Sequence, residues 1–504
     1  MLLRLLGLAV LTLTPSLAAA EPVAEPVADS ALAARITRVE SGLLPAARLT
    51  GDTSEPWTLA RRLLVHRVPG VSVAVIADGQ LAWARGYGVA RVGDLAPVDA
   101  DTLFQAASIG KPVAAAALLA LVDAGKLTLD TDVNSVLTAW KIPAAPTAAG
   151  PPVTLRQLLS HTAGLTVLGS DGYAPGAPRP TLVQILDGTA PARSAPVRVD
   201  TTPGTRWRYS DGGFTVAQQL ALDVSGETFP ALVRSRVLAP AGMDASTFEQ
   251  PLPTTFALRA AAGHTAGSTR LPGDAHIYPG LAAAGLWTTP TDLARFALAL
   301  RAALDGSPSF LSRATATAMI TPPLADTHYG LGLGVIGSGA TLQLAHSGSN
   351  DGFRCSFVFY PRLGRGAIVM TNSDNGGTLI PEILRALARE YDWPDYRMVE
   401  KTAVPLTDSA VAAFSGRYER ESTPVLAFRL NGHFYLRIGD RPRFEIFPQS
   451  DHEFFTLDSP DIWSFERAPT GLASHIVLRS SPPQLYRRLG STSLSPILRV
   501  PPRP

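Results

Sequence analysis

The feature that most constrains this chain is the apolar run after Lys111, which reads PVAAAALLALVDAG and ends at Gly125. Alanine and leucine favour helix, and Pro112 falls near the first turn, where its missing N–H costs least. A helix with no polar face is a buried one. The sequence therefore predicts a buried helix that begins beside Ser108 and Lys111.

Lys111 is itself unusual, because only four of the 44 basic residues are lysines. The others are Lys126, Lys141 and Lys401. Arginine cannot lose its proton in a protein, whereas a desolvated lysine can do so and act as a base. The alternative is that Lys111 is an ordinary surface lysine. A chemical role for Lys111 therefore depends on finding other catalytic residues elsewhere in the chain.

Ser108 and Lys111 stand three residues apart at a helix start, so their side chains point to one face. A helix N-terminus offers backbone N–H groups and partial positive charge to a developing oxyanion. The apolar residues downstream are expected to desolvate the Lys111 amine and to lower its pKa. A neutral lysine could then remove the serine proton, which predicts a nucleophilic Ser108.

The order of the predicted elements indicates an α+β fold. Residues 71–88 are two β-rich runs joined by Asp78-Gly79, a strong hairpin signal. Helices follow, and strands return before residue 373, which predicts one mixed sheet flanked by helices with a helical insertion. Residues 411–490 contain short, evenly spaced strands and predict a small all-β barrel or sandwich.

The N-terminus has the pattern of a secretory signal peptide over residues 1–20, with cleavage after Ala20. Its apolar run is short for a membrane span, so we expect a periplasmic or secreted bacterial protein with no stable span after cleavage. The expected domain boundaries are as follows. A linker covers 21–50, the main domain 51–395, a second linker 396–410 and the β-barrel 411–495.

Cys355 is the only cysteine, so no intramolecular disulfide is available to stabilise an exported chain. The nine histidines show no zinc-site spacing, and we expect no metal and no cofactor. A net charge of +2 from scattered basic residues predicts no nucleic-acid partner. The expected partner is a small-molecule or peptide substrate, and the C-terminal β module could support an oligomer.

Two further motifs could complete an acyl-transfer site. Tyr209 lies in a Gly-rich turn before a helix, where a phenol can project into a cleft. His346-Ser347-Gly348 lies at a strand end, before a loop able to supply a second oxyanion N–H. An ordinary packed tyrosine and a strand histidine are the alternatives, but the three motifs in this order support one another.

These motifs resemble the serine β-lactamase and penicillin-binding-protein superfamily, in its class C β-lactamase, DD-peptidase and esterase branch. Ser108-Ile109-Gly110-Lys111 is similar to S-x-x-K, Tyr209-Ser210-Asp211 to Y-x-N, and His346-Ser347-Gly348 to K-T-G. The stretches LLSHTAGL and HSGSNDGF are also similar, and the resemblance covers roughly residues 55–390. The tail resembles, more weakly, a lipocalin-like module.

The resemblance implies roles for individual residues. Ser108 is the acylated nucleophile, and Lys111 with Tyr209 forms the proton-transfer pair. The backbone N–H groups of Ser108 and Ser349 form the oxyanion hole, and Asp211, His346, Ser347 and Gly348 contact the substrate. The implied activity is that of an exported serine hydrolase of the esterase or D-amino-acid peptidase type.

Two departures from the family pattern bear on the substrate. Asp211 replaces the usual asparagine and would weaken the base if it lay beside Lys111. We expect it instead to face the substrate and to receive an amine. His346 replaces the usual lysine, so it should hold a substrate carboxylate less well and could set a pH optimum. Both changes argue against an efficient penicillinase.

Several alternatives stay open. The enzyme could be a β-lactamase or DD-carboxypeptidase, or the chain could be a non-catalytic penicillin- or peptidoglycan-binding sensor. The segment Gly332–Gly337 fits G-x-G-x-x-G, but no helix follows it, so a dinucleotide site is not expected. Ser160 and His161 are adjacent and point apart on a helix, so His161 is expected to stabilise the helix end.

Overall fold

The computed structural model describes residues 27–143, 150–325, 327–439, 442–480 and 483–489. The predicted signal peptide lies outside these residues. Among the described helices, none combines the length and the hydropathy that crossing a membrane requires.

The chain alternates short helices with two groups of strands. The helices are α1 (Val27–Glu40), α2 (Leu59–His66), α3 (Gly110–Asp123), α4 (Val133–Val136), α5 (Leu155–Leu159), α6 (Leu182–Asp187), α7 (Asp211–Ser225), α8 (Phe229–Val233), α9 (Thr254–Ala257), α10 (Leu281–Ala284), α11 (Pro290–Asp305), α12 (Arg313–Met319), α13 (Gly376–Glu390) and α14 (Asp408–Phe414). Short 3₁₀ turns cover Ala107–Ile109 and Gly339–Thr341, and a π-helical turn covers Arg234–Leu238.

The strands of the main domain and of its edges come first along the chain. They are β1 (Ala47–Leu49), β2 (Gly70–Ala77), β3 (Gln80–Gly88), β4 (Phe104–Gln105), β5 (Trp287–Thr288), β6 (Gly334–Ile336), β7 (Gln343–Asn350), β8 (Phe353–Tyr360), β9 (Arg365–Thr371) and β10 (Val399–Lys401). The C-terminal strands are β11 (Gly416–Arg420), β12 (Thr423–Leu430), β13 (His433–Ile438), β14 (Phe444–Glu445), β15 (Phe447–Pro448), β16 (Glu453–Phe455), β17 (Ile462–Arg467), β18 (Ala473–Leu478) and β19 (Gln484–Arg488).

The main sheet brings the two ends of its domain together, as predicted. Its order is β3-β2-β9-β8-β7-β6, so the first hairpin pairs with the last strand. All five ladders are antiparallel, and the sheet is thus more uniform than the mixed sheet that the sequence suggested. The α+β fold class is confirmed.

Turn chemistry explains the hairpins. Asp78 and Gly79 have φ values of 51° and 75°, which is the left-handed geometry that a two-residue hairpin turn needs. Asn431 and Gly432 do the same between β12 and β13, with φ values of 50° and 85°. The C-terminal strands form one nine-stranded, nearly closed sheet, so the predicted small β-barrel is confirmed.

Helix α3 is buried on all sides, as its sequence predicted. Its residues from Gly110 to Leu119 are inaccessible to solvent, Lys111 included. They pack with α7, α8 and α10 on one face of the main sheet. The amphipathic helix α13 covers the other face together with α1. The start of α3 is therefore held rigidly between the sheet and the helical insertion.

Both segments that the sequence suggested as linkers contain regular structure. Within 21–50, α1 places the apolar side chains Ile36 and Val39 against the core that surrounds α13. Strand β1 pairs in parallel with β10, which lies inside 396–410. The Pro- and Ala-rich sequence before residue 27 suggested a linker, and the apolar face of α1 was therefore not recognised in the sequence.

Candidate active site

Ser108 lies in the 3₁₀ turn that leads into α3. Its neighbour Ala107 has a φ of 51°, a left-handed conformation that residues with a Cβ rarely adopt. Such strained residues cluster at functional sites, because only a rigid surrounding structure can hold them. The turn brings the Ser108 Oγ to 2.9 Å from the Lys111 Nζ, so the structure brings the predicted Ser–Lys pair into contact.

The Lys111 ammonium group has further partners inside the core. Its Nζ donates to the backbone carbonyl of Ala283, in α10, at 2.8 Å. It also lies 2.7 Å from the Oδ1 of Asp211, the first residue of α7. Three elements that are far apart in sequence therefore converge on this nitrogen.

The prediction that Asp211 faces the substrate is wrong. Its side chain is 7% exposed, and one oxygen contacts Lys111 while the other accepts the Ser170 hydroxyl at 2.8 Å. The physical reason is electrostatic, since a carboxylate excluded from water is most stable beside a cation. An amine on a substrate could reach Asp211 only by displacing Lys111.

The expected effect of the apolar surroundings on Lys111 is also wrong. Burial does lower the pKa of the amine, and burial is the largest influence on it. The Asp211 carboxylate and Tyr209 oppose burial, and the pKa of Lys111 is raised above its ordinary value. In the resting site Lys111 is an ammonium ion.

Tyr209 completes the cluster around Ser108. Its hydroxyl lies beside Ser108 and Lys111, which both lower its pKa, and the Lys111 Nζ lies 4.9 Å from the centre of its ring. Burial raises the pKa of Tyr209 more than Lys111 lowers it, so the side chain is a neutral phenol. The three residues predicted to be catalytic therefore meet in one cluster.

His346 lies near Tyr209 but is occupied by the protein itself. Its Nδ1 donates to the carbonyl of Ser347 at 2.7 Å, and its Nε2 accepts the Tyr329 hydroxyl at 3.0 Å. Burial and the Lys111 charge lower the pKa of His346 to about 3. The neutral ring thus offers no free N–H to a substrate carboxylate, and the suggested pH optimum at His346 is not supported.

We therefore expect His346→Gln to leave the shape of the pH profile unchanged between about pH 5 and 8. The group is already neutral across that range, because its pKa lies below it. The measurement is kcat/KM for an activated ester at half-unit intervals. An inflection between about pH 5 and 8 that is present in the wild type and absent from the variant would contradict a neutral His346 ring in this tautomer.

Strand β7 approaches the Ser108 turn closely because residue 348 is glycine. A Cβ on Gly348 would lie 2.2 Å from the carbonyl oxygen of Ala106. Asn350 of the same strand donates to the Gln105 side chain at 2.8 Å. Ser347 and Ser349 are exposed on either side of Gly348, where a bound substrate could contact them.

Sequence reasoning missed four groups that support the site. Ser170 and the Ala283 carbonyl fix Asp211 and Lys111, and Tyr329 donates its hydroxyl to His346. His161 was expected to stabilise a helix end, but its Nδ1 instead accepts the backbone N–H of Ser210 at 3.1 Å. Only His161 had a sequence signal, the stretch LLSHTAGL, because the other contacts come from tertiary packing.

A polar cavity of about 320 Å³ opens beside Ser349 and Ser170. Asp171 and Asp351 supply carboxylates to its wall, and the Asp351 side chain is 57% exposed. The two arginines of the wall are already engaged by the protein. Arg354 pairs with Asp374 at 3.0 Å, and Arg193 donates to the Gly172 carbonyl and stacks 4.6 Å from the Tyr173 ring.

A family model agrees with this geometry. The model described as Beta-lactamase matches residues 58–389, which include every residue of the cluster. The chain belongs to the β-lactamase family. This result confirms the resemblance drawn from the three motifs.

Individual relatives cover different shares of this β-lactamase-family chain. Penicillin-binding protein 4 of Amycolatopsis lactamdurans is 28% identical over 374 residues, which are 71% of this chain and 94% of that protein. Esterase EstB of Burkholderia gladioli is 30% identical over 207 residues, 38% of this chain and 50% of the esterase.

A solved structure extends the likeness of fold to more of the chain. The octameric penicillin-binding protein homologue from Pyrococcus abyssi aligns with a TM-score of 0.57 at 21% identity. The alignment covers 85% of this chain and 98% of that one. The predicted enzyme class, a serine hydrolase of the β-lactamase-related family, is confirmed.

Proposed function

We propose that this serine hydrolase cleaves esters or amides through an acyl-enzyme on Ser108. The observation that carries the proposal is the contact of Ser108 with Lys111 at 2.9 Å, together with the Tyr209 ring, whose centre lies 4.9 Å from the Lys111 Nζ. Nucleophile, base and acid must lie within hydrogen-bond reach of one another for acyl transfer.

The chemistry starts from a resting ammonium. Lys111 must lose one proton before it can accept the Ser108 proton, and Asp211 makes that base form scarce near neutral pH. Ser108 Oγ then attacks the acyl carbon, and backbone N–H groups of Ser108 and Ser349 stabilise the oxyanion. The Tyr209 phenol donates a proton to the leaving group and recovers one from the Lys111 ammonium. In a second step a water molecule attacks the acyl carbon, and Lys111 accepts a proton from it and returns that proton to Ser108 Oγ as the acyl–oxygen bond breaks.

The polar cavity favours an acyl group that carries an amine. Its arginines are engaged, whereas Asp351 is more than half exposed and pairs with the His276 ring, at 2.7 Å. An ammonium near Asp171 and Asp351 would gain a charge-assisted hydrogen bond. We therefore assign to this cavity the amine recognition that the sequence had suggested for Asp211, which points to D-aminoacyl esters and amides.

Intact mass and product release, followed together, test the proposal. The panel is an activated short-chain ester, a D-amino-acid amide with and without N-acetylation, a D-Ala-D-Ala peptide and a penicillin. We expect a transient adduct on Ser108 with turnover of the ester and the free-amine amide, and N-acetylation should lower kcat/KM at least about tenfold. Ser108→Ala is the control and should gain no mass.

The outcomes of this experiment separate the remaining functions. A stable penicillin adduct without turnover of any substrate would favour the sensor, and rapid penicillin hydrolysis would favour a β-lactamase. Cleavage of the D-Ala-D-Ala peptide alone would favour a carboxypeptidase. Turnover that survives Ser108→Ala would overturn the assignment of the active site.

We also propose that the protein is exported and self-associates through its C-terminal β module. The signal-peptide pattern supports export to the periplasm or beyond, and N-terminal sequencing of the mature protein tests it. Exposed leucines in the module, Leu430, Leu472 and Leu485, support self-association. Light scattering of the full chain tests that point, and a monomer at all concentrations would contradict it.

A further inference from the structure

His161 holds the backbone on both sides of Tyr209. It follows α5 directly, and its carbonyl accepts the N–H of Arg208 at 2.8 Å. Its ring Nδ1 accepts the N–H of Ser210 at 3.1 Å. One residue therefore fixes the chain immediately before and immediately after the phenol that contacts Ser108 and Lys111.

The His161 ring also packs on the phenol itself. The centres of the two rings lie 4.3 Å apart, and the rings are tilted by 40°. His161 has a φ of 60°, so a left-handed turn of the backbone directs the ring to this position. The side chain is 2% exposed and is enclosed further by Phe214 and Tyr329.

The remaining ring nitrogen has no hydrogen-bond partner among the described residues. Because Nδ1 accepts the Ser210 N–H, the proton of the neutral ring is on Nε2, which is buried and unpaired. An unpaired buried donor lowers the stability of the folded state, because the hydrogen bond that it made to water is lost. An apolar ring would pack here without that cost. The presence of a histidine therefore indicates that its acceptor nitrogen, Nδ1, has a role in the site.

His161 cannot itself exchange protons with the substrate. Burial and the charge of Lys111 lower the pKa of His161 well below its ordinary value, and its lone pair is already bonded to Ser210. The ring packs against Tyr209. Any effect on catalysis must therefore pass through Tyr209.

We propose that His161 is a positioning residue for Tyr209, acting through the two backbone hydrogen bonds and the ring contact together. This inference rests on the proposed function, because it assumes that Tyr209 is the proton donor. A small displacement of a group that must meet both Ser108 and the leaving group slows the reaction without changing substrate binding.

Two substitutions separate the acceptor from the ring. His161→Phe keeps an aromatic ring and removes the acceptor, and we expect kcat to fall about 10–100-fold with KM within about twofold. His161→Asn keeps a side-chain oxygen that can accept the Ser210 N–H, and it should restore most of kcat, to within about fivefold of the wild type. Rates are referred to active sites counted with a serine-directed phosphonate.

The pH profile of kcat provides a second test, because a smaller amount of folded protein would lower the rate without changing the shape of the profile. Lys111, Asp211, His346 and Tyr329 are the titratable groups that face Tyr209 together with His161. The Lys111 charge lowers the pKa of Tyr209, so displacing the phenol from Lys111 in His161→Phe should raise that pKa and move the alkaline limb of kcat to higher pH. His161→Asn should show a smaller shift.

A second buried histidine in the same domain provides the matched control. His264 accepts the backbone N–H of Val92 at 3.1 Å and is inaccessible to solvent. His264→Asn should lower the melting temperature and leave kcat per active site unchanged. The inference is overturned if His161→Phe keeps kcat per site and the alkaline limb while Ser108→Ala is inactive. Activity in Ser108→Ala would instead overturn the proposed function.

Discussion

Lys111→Met is expected to lower kcat/KM for an activated ester by about 10³-fold, because the serine loses its base. The same change should reduce the free energy of unfolding at pH 7 by about 3–5 kcal/mol, the usual effect of breaking a buried ion pair. The Asp211 carboxylate, 7% exposed, would keep only the Ser170 hydroxyl as a partner. Ester kinetics per folded protein and urea unfolding measure the two effects.

The pH dependence of stability in this variant follows from the unpaired carboxylate. A carboxylate that is buried without its cation destabilises the folded state when it is ionised. The folded variant therefore favours the protonated acid, so its stability should be highest at low pH and should fall as pH rises. Unfolding between about pH 4 and 8 should show this loss.

The double variant Lys111→Met/Asp211→Asn is the control. It removes both charges, so it should recover most of the lost stability and none of the lost activity. The two variants should become equally stable as pH falls towards about 4 and Asp211 is protonated in the single variant. Equal stability of both at pH 8 would show that the carboxylate reaches water and that the pair is not buried as described.

The hairpin turns, the buried helix α3 and the Ser108–Lys111 pair could be predicted from the sequence, because each depends on residues that are close together in the chain. The Asp78-Gly79 and Asn431-Gly432 turns fix their hairpins through backbone preference alone. The apolar run after Lys111 required a buried helix, and the spacing of Ser108 and Lys111 placed their side chains together at 2.9 Å. Each of these statements depends on residues no more than about one helical turn apart.

The surroundings of Lys111 could not be predicted, because they come from residues about a hundred or more positions away. Asp211 occupies the first turn of α7, and its direction depends on how α7 packs against α3. The Ala283 contact is a backbone carbonyl, which has no sequence signature. Apolar neighbours in sequence suggested a neutral amine, but a carboxylate brought in by packing reverses the effect on its pKa.

His161 and His346 show why a histidine is difficult to interpret from sequence. Which nitrogen carries the proton depends on the hydrogen-bond partners of the ring, here the Ser210 N–H for His161 and the Ser347 carbonyl for His346. Both partners follow from the fold. The result is one histidine that fixes a tyrosine and another that is unavailable to the carboxylate it was expected to hold.

Asp211→Asn is expected to raise kcat/KM at pH 7 by at least about tenfold, since each pKa unit removed from Lys111 multiplies its base form by about ten. Asparagine can still accept the Lys111 hydrogen bond through its oxygen and donate to the Ser170 hydroxyl through its amide nitrogen, but it carries no charge. Burial, now unopposed by the carboxylate, should lower the pKa of Lys111. The rising limb of the pH profile should move to lower pH, measured as kcat/KM from about pH 5 to 10.

Asp187→Asn is a charge-matched control, because Asp187 lies outside the cluster and accepts the Trp140 indole N–H at 2.9 Å. It should leave the rising limb in place. A fall in activity in Asp211→Asn, with the limb unmoved, would contradict the inhibitory role. That outcome would show that Asp211 takes the proton that Lys111 must lose, so that serine, lysine and aspartate act as one relay. The position of the rising limb in Asp211→Asn thus decides whether Asp211 keeps Lys111 protonated or accepts the proton that Lys111 loses.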